Sequence, residues 1–317
     1  MGLILLVILA VAPPIGFLIY ILRFDRIEPE PLSLVLKMLF LGCLAVVPAA
    51  LIEMAVLGLP VFSREGVIGS GIQSFLVVAP VEEGLKLLTV MLFAWRNRNF
   101  NERNDGIVYA ATVSIGFAMA ENLFYVLEHG FGVGIARALS SIPGHTFTGV
   151  IMGYFIGHAR FAASRAIRNR NILGGFGIAW FLHGAYNTLA LSGTAAALLV
   201  VPLVVALFLL GIRFLRKGRA LSAGKWGAVP AKPPSSPSIP ASRGNLRKVA
   251  ARILLILSGV FWLLLLTGIL LDRSVGAEDT VYAVFGGLLL TALPITVGVL
   301  MEVSCGKRRA TLETEKA

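Results

Sequence analysis

The chain has 317 residues, 57% of them hydrophobic and only 14% charged, with a formal net charge of +11. Soluble domains carry about a quarter charged residues, and no soluble core of this size could hide so much apolar surface, so a soluble globular protein is excluded and the bilayer is the solvent. The basic residues fall in loops between apolar runs, where the positive-inside rule expects them, so the charge reads as membrane topology and not as a nucleic-acid surface.

A spanning helix needs about 20 apolar residues. The first run, Leu3 to Leu22, lacks a basic n-region, is too long for a signal peptide and is followed by Arg23 and Arg26; it reads as a retained helix. Further spans are expected near 34–57, 68–95, 106–128, 139–159, 172–190, 194–215, 251–271 and 281–302. Clusters of Lys and Arg follow every second run, and the connections between carry few. This alternation predicts an all-α polytopic membrane protein of about nine transmembrane helices, with the N-terminus outside and the C-terminus cytoplasmic. Residues 216–250 are rich in Pro, Ser, Gly and Lys and read as a flexible cytoplasmic linker. The linker would divide a seven-helix body, 1–215, from a two-helix accessory hairpin and tail, 251–317. Cys43 and Cys305 show neither metal-ligand spacing nor a disulfide framework. Composition points to a multi-pass protein of a bacterial plasma membrane.

Ionisable groups inside a span are costly, so they face the protein interior and mark function. The third run carries Glu82, Glu83 and Lys86, with Glu82 and Lys86 four apart on one helical face. Pro80, just before them, is expected to kink the helix. The fourth run carries Glu121 and Asn122. In the fifth, His145 shares a stripe with Gly149, Gly153 and Gly157, a small-residue face that packs closely on another helix. The sixth carries His183 and Asn187 on one face. His129 and His158 sit at helix ends and read as interfacial. On the expected topology, Glu121, His145 and His183 lie roughly 6–18 Å in from the outer surface at 1.5 Å per residue, and Glu82 and Glu83 lie at or just below that level. Four helices would then share one pocket.

Two hydrolytic chemistries suit this set. A glutamate can activate water while a histidine and Asn187 stabilise the oxyanion. Alternatively His145, His183 and one glutamate, Glu121 among the candidates, can hold Zn²⁺ while another glutamate is the base. The order Glu82-Glu83-x-x-Lys86, Phe117-x-x-x-Glu121-Asn122, His145, His183-x-x-x-Asn187 on successive helices resembles the PrsW family of intramembrane proteases, over roughly residues 30–215. That family belongs to the larger group of CAAX prenyl endopeptidases and bacteriocin-processing enzymes. The resemblance implies catalytic roles for Glu82, Glu83, Glu121, His145 and His183, with Lys86, Asn122 and Asn187 in support. Either Glu82 or Glu83 would be the base, and His183 with Asn187 would bind the oxyanion or a metal. It also implies a membrane-anchored protein substrate such as an anti-sigma factor in a stress response. The CAAX branch has Glu-Glu-x-x-x-Arg and Phe-x-x-x-His, whereas this chain has Lys86 one position earlier and Glu121 in place of that histidine. The rival reading is a proton- or cation-coupled transporter using the same carboxylates and histidines. Against it, the chain shows no repeated half and no matched pair of broken helices.

Overall fold

A computed structural model describes residues 2–63 and 66–226. Among them every regular element is helical: α1 (Leu3–Leu22), α2 (Leu32–Leu57), α3 (Gly66–Gln73), α4 (Ala79–Phe93), α5 (Arg103–Leu139), α6 (Ser141–Arg160), α7 (Arg165–Ala190) and α8 (Val200–Trp226). Four stretches are long and apolar enough to cross a membrane: Leu3–Leu22, Leu32–Leu57, Arg103–Arg160 and Ala195–Trp226. The run expected at 68–95 is broken into α3, a π-helical segment Ser74–Val78, and α4. Pro80 stands in the first turn of α4 directly after helical residues, and the distortion falls in the π segment before it, where Phe75 O accepts from Trp180 Nε1 at 2.8 Å. The run at 106–128 is longer than expected. The helix breaks at Gly130, whose φ of 79° favours glycine, and resumes to Leu139. α8 runs on to Trp226, into the stretch expected as linker from residue 216. The rest of the linker and the hairpin 251–317 lie outside the described residues.

α5 is the hub. Its residues 104–118 are all buried, because α6, α1, α2 and α8 surround it. One core joins Leu18 and Ile21 of α1, Val35 and Leu39 of α2, Ile107 and Ile115 of α5, Phe147 and Val150 of α6, and Leu207 of α8. Outward residues such as Ile4 of α1 and Phe40 and Leu51 of α2 are exposed, as a lipid-facing surface requires. Lipid tails are as apolar as leucine, so helix pairing in a bilayer relies on close backbone approach. The glycine stripe of α6 provides it. A Cβ on Gly153 would run into the carbonyl of Gly106 on α5, and one on Gly157 into the carbonyl of Arg103. Backbone cannot swing aside, so Gly153→Leu should destabilise by at least the ~1–3 kcal/mol typical of overpacking. A thermal melt in detergent should show the midpoint several degrees lower.

The end of the bundle that holds the α1–α2 loop and the start of α5 is closed by polar contacts. Asp25 Oδ2 accepts from Glu30 N at 2.9 Å and Asp25 Oδ1 from Asn104 Nδ2 at 2.8 Å. Tyr109 donates to Glu30, and Trp226 Nε1 reaches Glu102 Oε2 at 2.7 Å. Burial pushes the carboxyl of Asp25 up to about 6 and that of Glu30 up to about 9.

Candidate active site

The π segment and Pro80 deliver α4 so that Glu82, Glu83 and Lys86 all point inward and are buried. Lys86 Nζ lies 3.1 Å from Glu82 Oε2, 2.8 Å from Glu83 Oε1 and 2.9 Å from His145 Nδ1 of α6. It also sits 4.3 Å over the ring of Phe117. This one ammonium is shared between the two carboxylates, so a buried ion pair is present whichever of them carries the charge.

Each histidine has a carboxylate on its far nitrogen. His183 Nδ1 is 2.8 Å from Glu83 Oε1, and His145 Nε2 is 2.9 Å from Glu121 Oε2. An ammonium has no lone pair, so His145 Nδ1 accepts from Lys86 and Nε2 carries the proton given to Glu121. Likewise His183 donates from Nδ1 to Glu83, and its Nε2 accepts from Asn187 Nδ2 at 3.1 Å. Each ring's tautomer is therefore fixed, with the lone pair of His145 taken by Lys86 and that of His183 by Asn187; the ring centroids are 4.9 Å apart. Glu82 Oε2 lies 3.9 Å from His145 Nδ1 and 3.9 Å from His183 Nε2. Glu82, His145 and His183 offer ligand atoms that all lie within 4.8 Å of one another. A narrow cleft lined by Ser141, Gly144, Thr148 and Tyr186 opens beside the two histidines.

The five residues expected to be catalytic thus meet in one buried cluster, with Lys86 at its centre and Asn187 at its edge. Two placements refine the expectation. Glu121, a candidate metal ligand, stands behind His145, on the nitrogen turned away from Glu82. Asn122 is turned from the centre: its Nδ2 donates to Ala10 O of α1 at 3.1 Å, and its Oδ1 accepts from Arg137 Nε at 3.2 Å. Arg137 is the residue that sequence reasoning missed. It falls in the connection between two expected spans, yet the turn at Gly130 folds the end of α5 back, so that Arg137 Nη2 pairs with Glu121 Oε2 at 2.9 Å and its guanidinium stacks 4.0 Å over Tyr125. Its one signal in the sequence was a lone arginine in a connection otherwise free of basic residues. Glu53 of α2 was missed as well. Its Oε1 is buried and accepts no hydrogen bond, within electrostatic reach of Glu82, Glu121 and Lys86.

A family model for the PrsW family intramembrane metalloproteases matches residues 30–212, more than half of the chain. The chain belongs to the PrsW family. The protease PrsW of Geobacillus kaustophilus is 39% identical over 183 residues, 57% of this chain and 78% of that protein. That of Bacillus subtilis is 35% identical over 213 residues, covering 67% of this chain and 94% of the relative. The Oceanobacillus iheyensis protease PrsW is 30% identical over 207 residues, 65% and 93% of the two chains. No solved structure matches. As a PrsW-family member the chain is an intramembrane protease, a hydrolase of a bacterial membrane protease family, and the transporter reading falls. The match begins at Glu30 and ends in α8, so it takes in α2 to α7, every helix that supplies a group to the centre.

Proposed function

We propose that the reaction centre is the space between Glu82 Oε2, His145 Nδ1 and His183 Nε2, where the chain hydrolyses peptide bonds of membrane-anchored proteins. The observation that carries this reading is the carboxylate on the far nitrogen of each histidine: Glu121 behind His145 and Glu83 behind His183. Metal-binding histidines almost always give their other N–H to such a partner, which fixes the tautomer and raises ligand basicity. The donor set suits zinc. Two imidazole nitrogens and a carboxylate oxygen within 4.8 Å of one another are the donor types that zinc takes. His145 and His183 would hold it, with Lys86 moving off His145 Nδ1 and Glu82 beside them left as the base. Bound zinc polarises a carbonyl and acidifies water.

The chain's own groups supply the rest. The proton of the attacking water passes to Glu82, the carboxylate that faces both imidazoles. Asn187 donates to the oxyanion from beside His183. Arg137 holds Glu121 in place, and Lys86 holds Glu82 and Glu83. Burial of the cluster keeps bulk water from the reacting carbonyl.

The topology we propose has nine spans, the N-terminus outside, the C-terminus in the cytoplasm and the body joined by a linker to an accessory hairpin, in a bacterial plasma membrane. The alternation of basic loops supports it, as does the coincidence of α1, α2, α5 and α8 with stretches apolar enough to span. Purified protein in gradient-free liposomes should cleave a single-span reporter. Chelation should abolish the cleavage and added Zn²⁺ should restore it. Cleavage that survives exhaustive chelation would remove the metal from the reaction and leave glutamate-based hydrolysis.

A further inference from the structure

A second group of acids lies far from the protease centre. Asp105 stands in the first turn of α5, sixteen residues before Glu121, so the two are about 24 Å apart along one helix at 1.5 Å per residue. Around Asp105 gather Glu28 and Glu30 from the α1–α2 loop, and ligand oxygens of these three residues all lie within 4.8 Å of one another. Asp25 and Glu102 are buried beside them. Among the described residues no Lys, Arg or His forms an ion pair with any of the five.

The acids alone would not make a site. Their unused oxygens point to a ligand. Asp105 is 0% exposed and Glu30 9% exposed, yet Asp105 Oδ1 and Glu30 Oε1 accept no hydrogen bond. Glu28 Oε2 is likewise buried and unpartnered. So is Asn101 Oδ1, whose amide nitrogen donates to Glu28 Oε1 at 3.1 Å and so holds that side chain in the cluster. Without a cation, Glu30 and Asp105 can pair only by sharing a carboxyl proton, and Glu28 Oε2 with the amide oxygen of Asn101 stays unpartnered alongside. The other oxygens are committed to fixing the geometry. Asp105 Oδ2 accepts from Asn101 N and Glu102 N, both at 2.7 Å, and Glu30 accepts from Tyr109. A buried carboxylate oxygen without a donor is costly, and several facing one another are more so. All-oxygen donor sets of this kind suit hard divalent cations, whose ligands are carboxylates, amide carbonyls and water.

We propose that Glu28, Glu30, Asp105 and Asn101 form a binding site for a hard divalent cation, Ca²⁺ or Mg²⁺, separate from the protease centre. The cation pins the α1–α2 loop to the start of α5. Lys225 Nζ, at the end of α8, bonds Asn101 O at 2.6 Å, so the same site braces α8. Its role is therefore in holding this end of the bundle together and not in bond cleavage.

The test is equilibrium binding to the full-length, detergent-solubilised protein after stripping with a chelator. Mn²⁺ serves as probe, followed by its paramagnetic resonance, and Ca²⁺ and Mg²⁺ compete in separate arms. The His145→Ala/His183→Ala variant, which lacks the protease-centre metal site, should still bind one Mn²⁺ per chain, displaced by one of the two ions more readily than by the other. Glu30→Gln/Asp105→Asn should bind at least tenfold more weakly. The milder Glu28→Gln, at the rim, should weaken binding several-fold while leaving the thermal midpoint without cation unchanged. In the histidine double variant, the preferred cation should raise the thermal midpoint. No Mn²⁺ bound by folded wild type at millimolar concentration would overturn the proposal, with protons then shared among the carboxyls. So would binding that survives Glu28→Gln and Glu30→Gln/Asp105→Asn but is lost in the histidine variant.

Discussion

Glu82→Gln should abolish cleavage while leaving the protein folded. Glutamine keeps the size and the hydrogen-bonding reach of glutamate but cannot take a proton at neutral pH. Loss of a positioned general base costs about 10²–10⁴-fold in rate. The fold should survive because Lys86 keeps Glu83 at 2.8 Å and His145 at 2.9 Å, so no charge is stranded. The comparison with Glu83→Gln and Glu121→Gln is what gives the result its meaning. Those carboxylates act through a histidine, and loss of such a partner costs about 10–100-fold in activity or metal affinity. Steady-state cleavage of a reporter in detergent, with a thermal melt of each variant, separates the three. Equal losses in all three variants would contradict the assignment of Glu82 to the centre and the other two to positioning.

Lys86→Met should be the most damaging single substitution to stability. The side chain is wholly buried, and its ammonium serves Glu82 and Glu83 together. Removing one partner of a buried ion pair costs about 3–5 kcal/mol, because the other charge is left uncompensated. Methionine fills the space over Phe117 without restoring the charge. The expected result is a large fall in thermal midpoint, partly recovered in Lys86→Met/Glu83→Gln, where one of the stranded charges is gone. A double-mutant cycle over these two positions measures the coupling directly. An unchanged midpoint in Lys86→Met would mean that Glu82 and Glu83 do not depend on the lysine.

The helices of the body were readable because apolar runs of span length leave a strong signal, and α1 and α2 end where their runs end. The chemistry was readable for the opposite reason. Glu82, Glu121, His145 and His183 are conspicuous in apolar surroundings, and such residues pay for their burial only by meeting partners. Composition could not reveal the path of the chain beyond Glu121. Gly130 looks like any other glycine until its positive φ turns the end of α5 back and carries Arg137 inward. The pairing of histidines with carboxylates was also hidden, because which glutamate stands behind which ring depends on helix rotation within a fraction of a turn. The acids around Asp105 escaped notice since Asp25, Glu28 and Glu30 sit in a loop, where charge is ordinary; only packing shows that they are buried.

The central claim is that Glu82, His145 and His183 form a single metal-dependent centre. Zinc content per chain, measured on purified wild type and on His145→Ala and His183→Ala, tests it most directly. The account predicts stoichiometric zinc in wild type, lost in either histidine variant and retained in Asn122→Ala, whose side chain faces α1 and Arg137 instead. Zinc retained in both histidine variants, or active wild type with no metal at all, would contradict it.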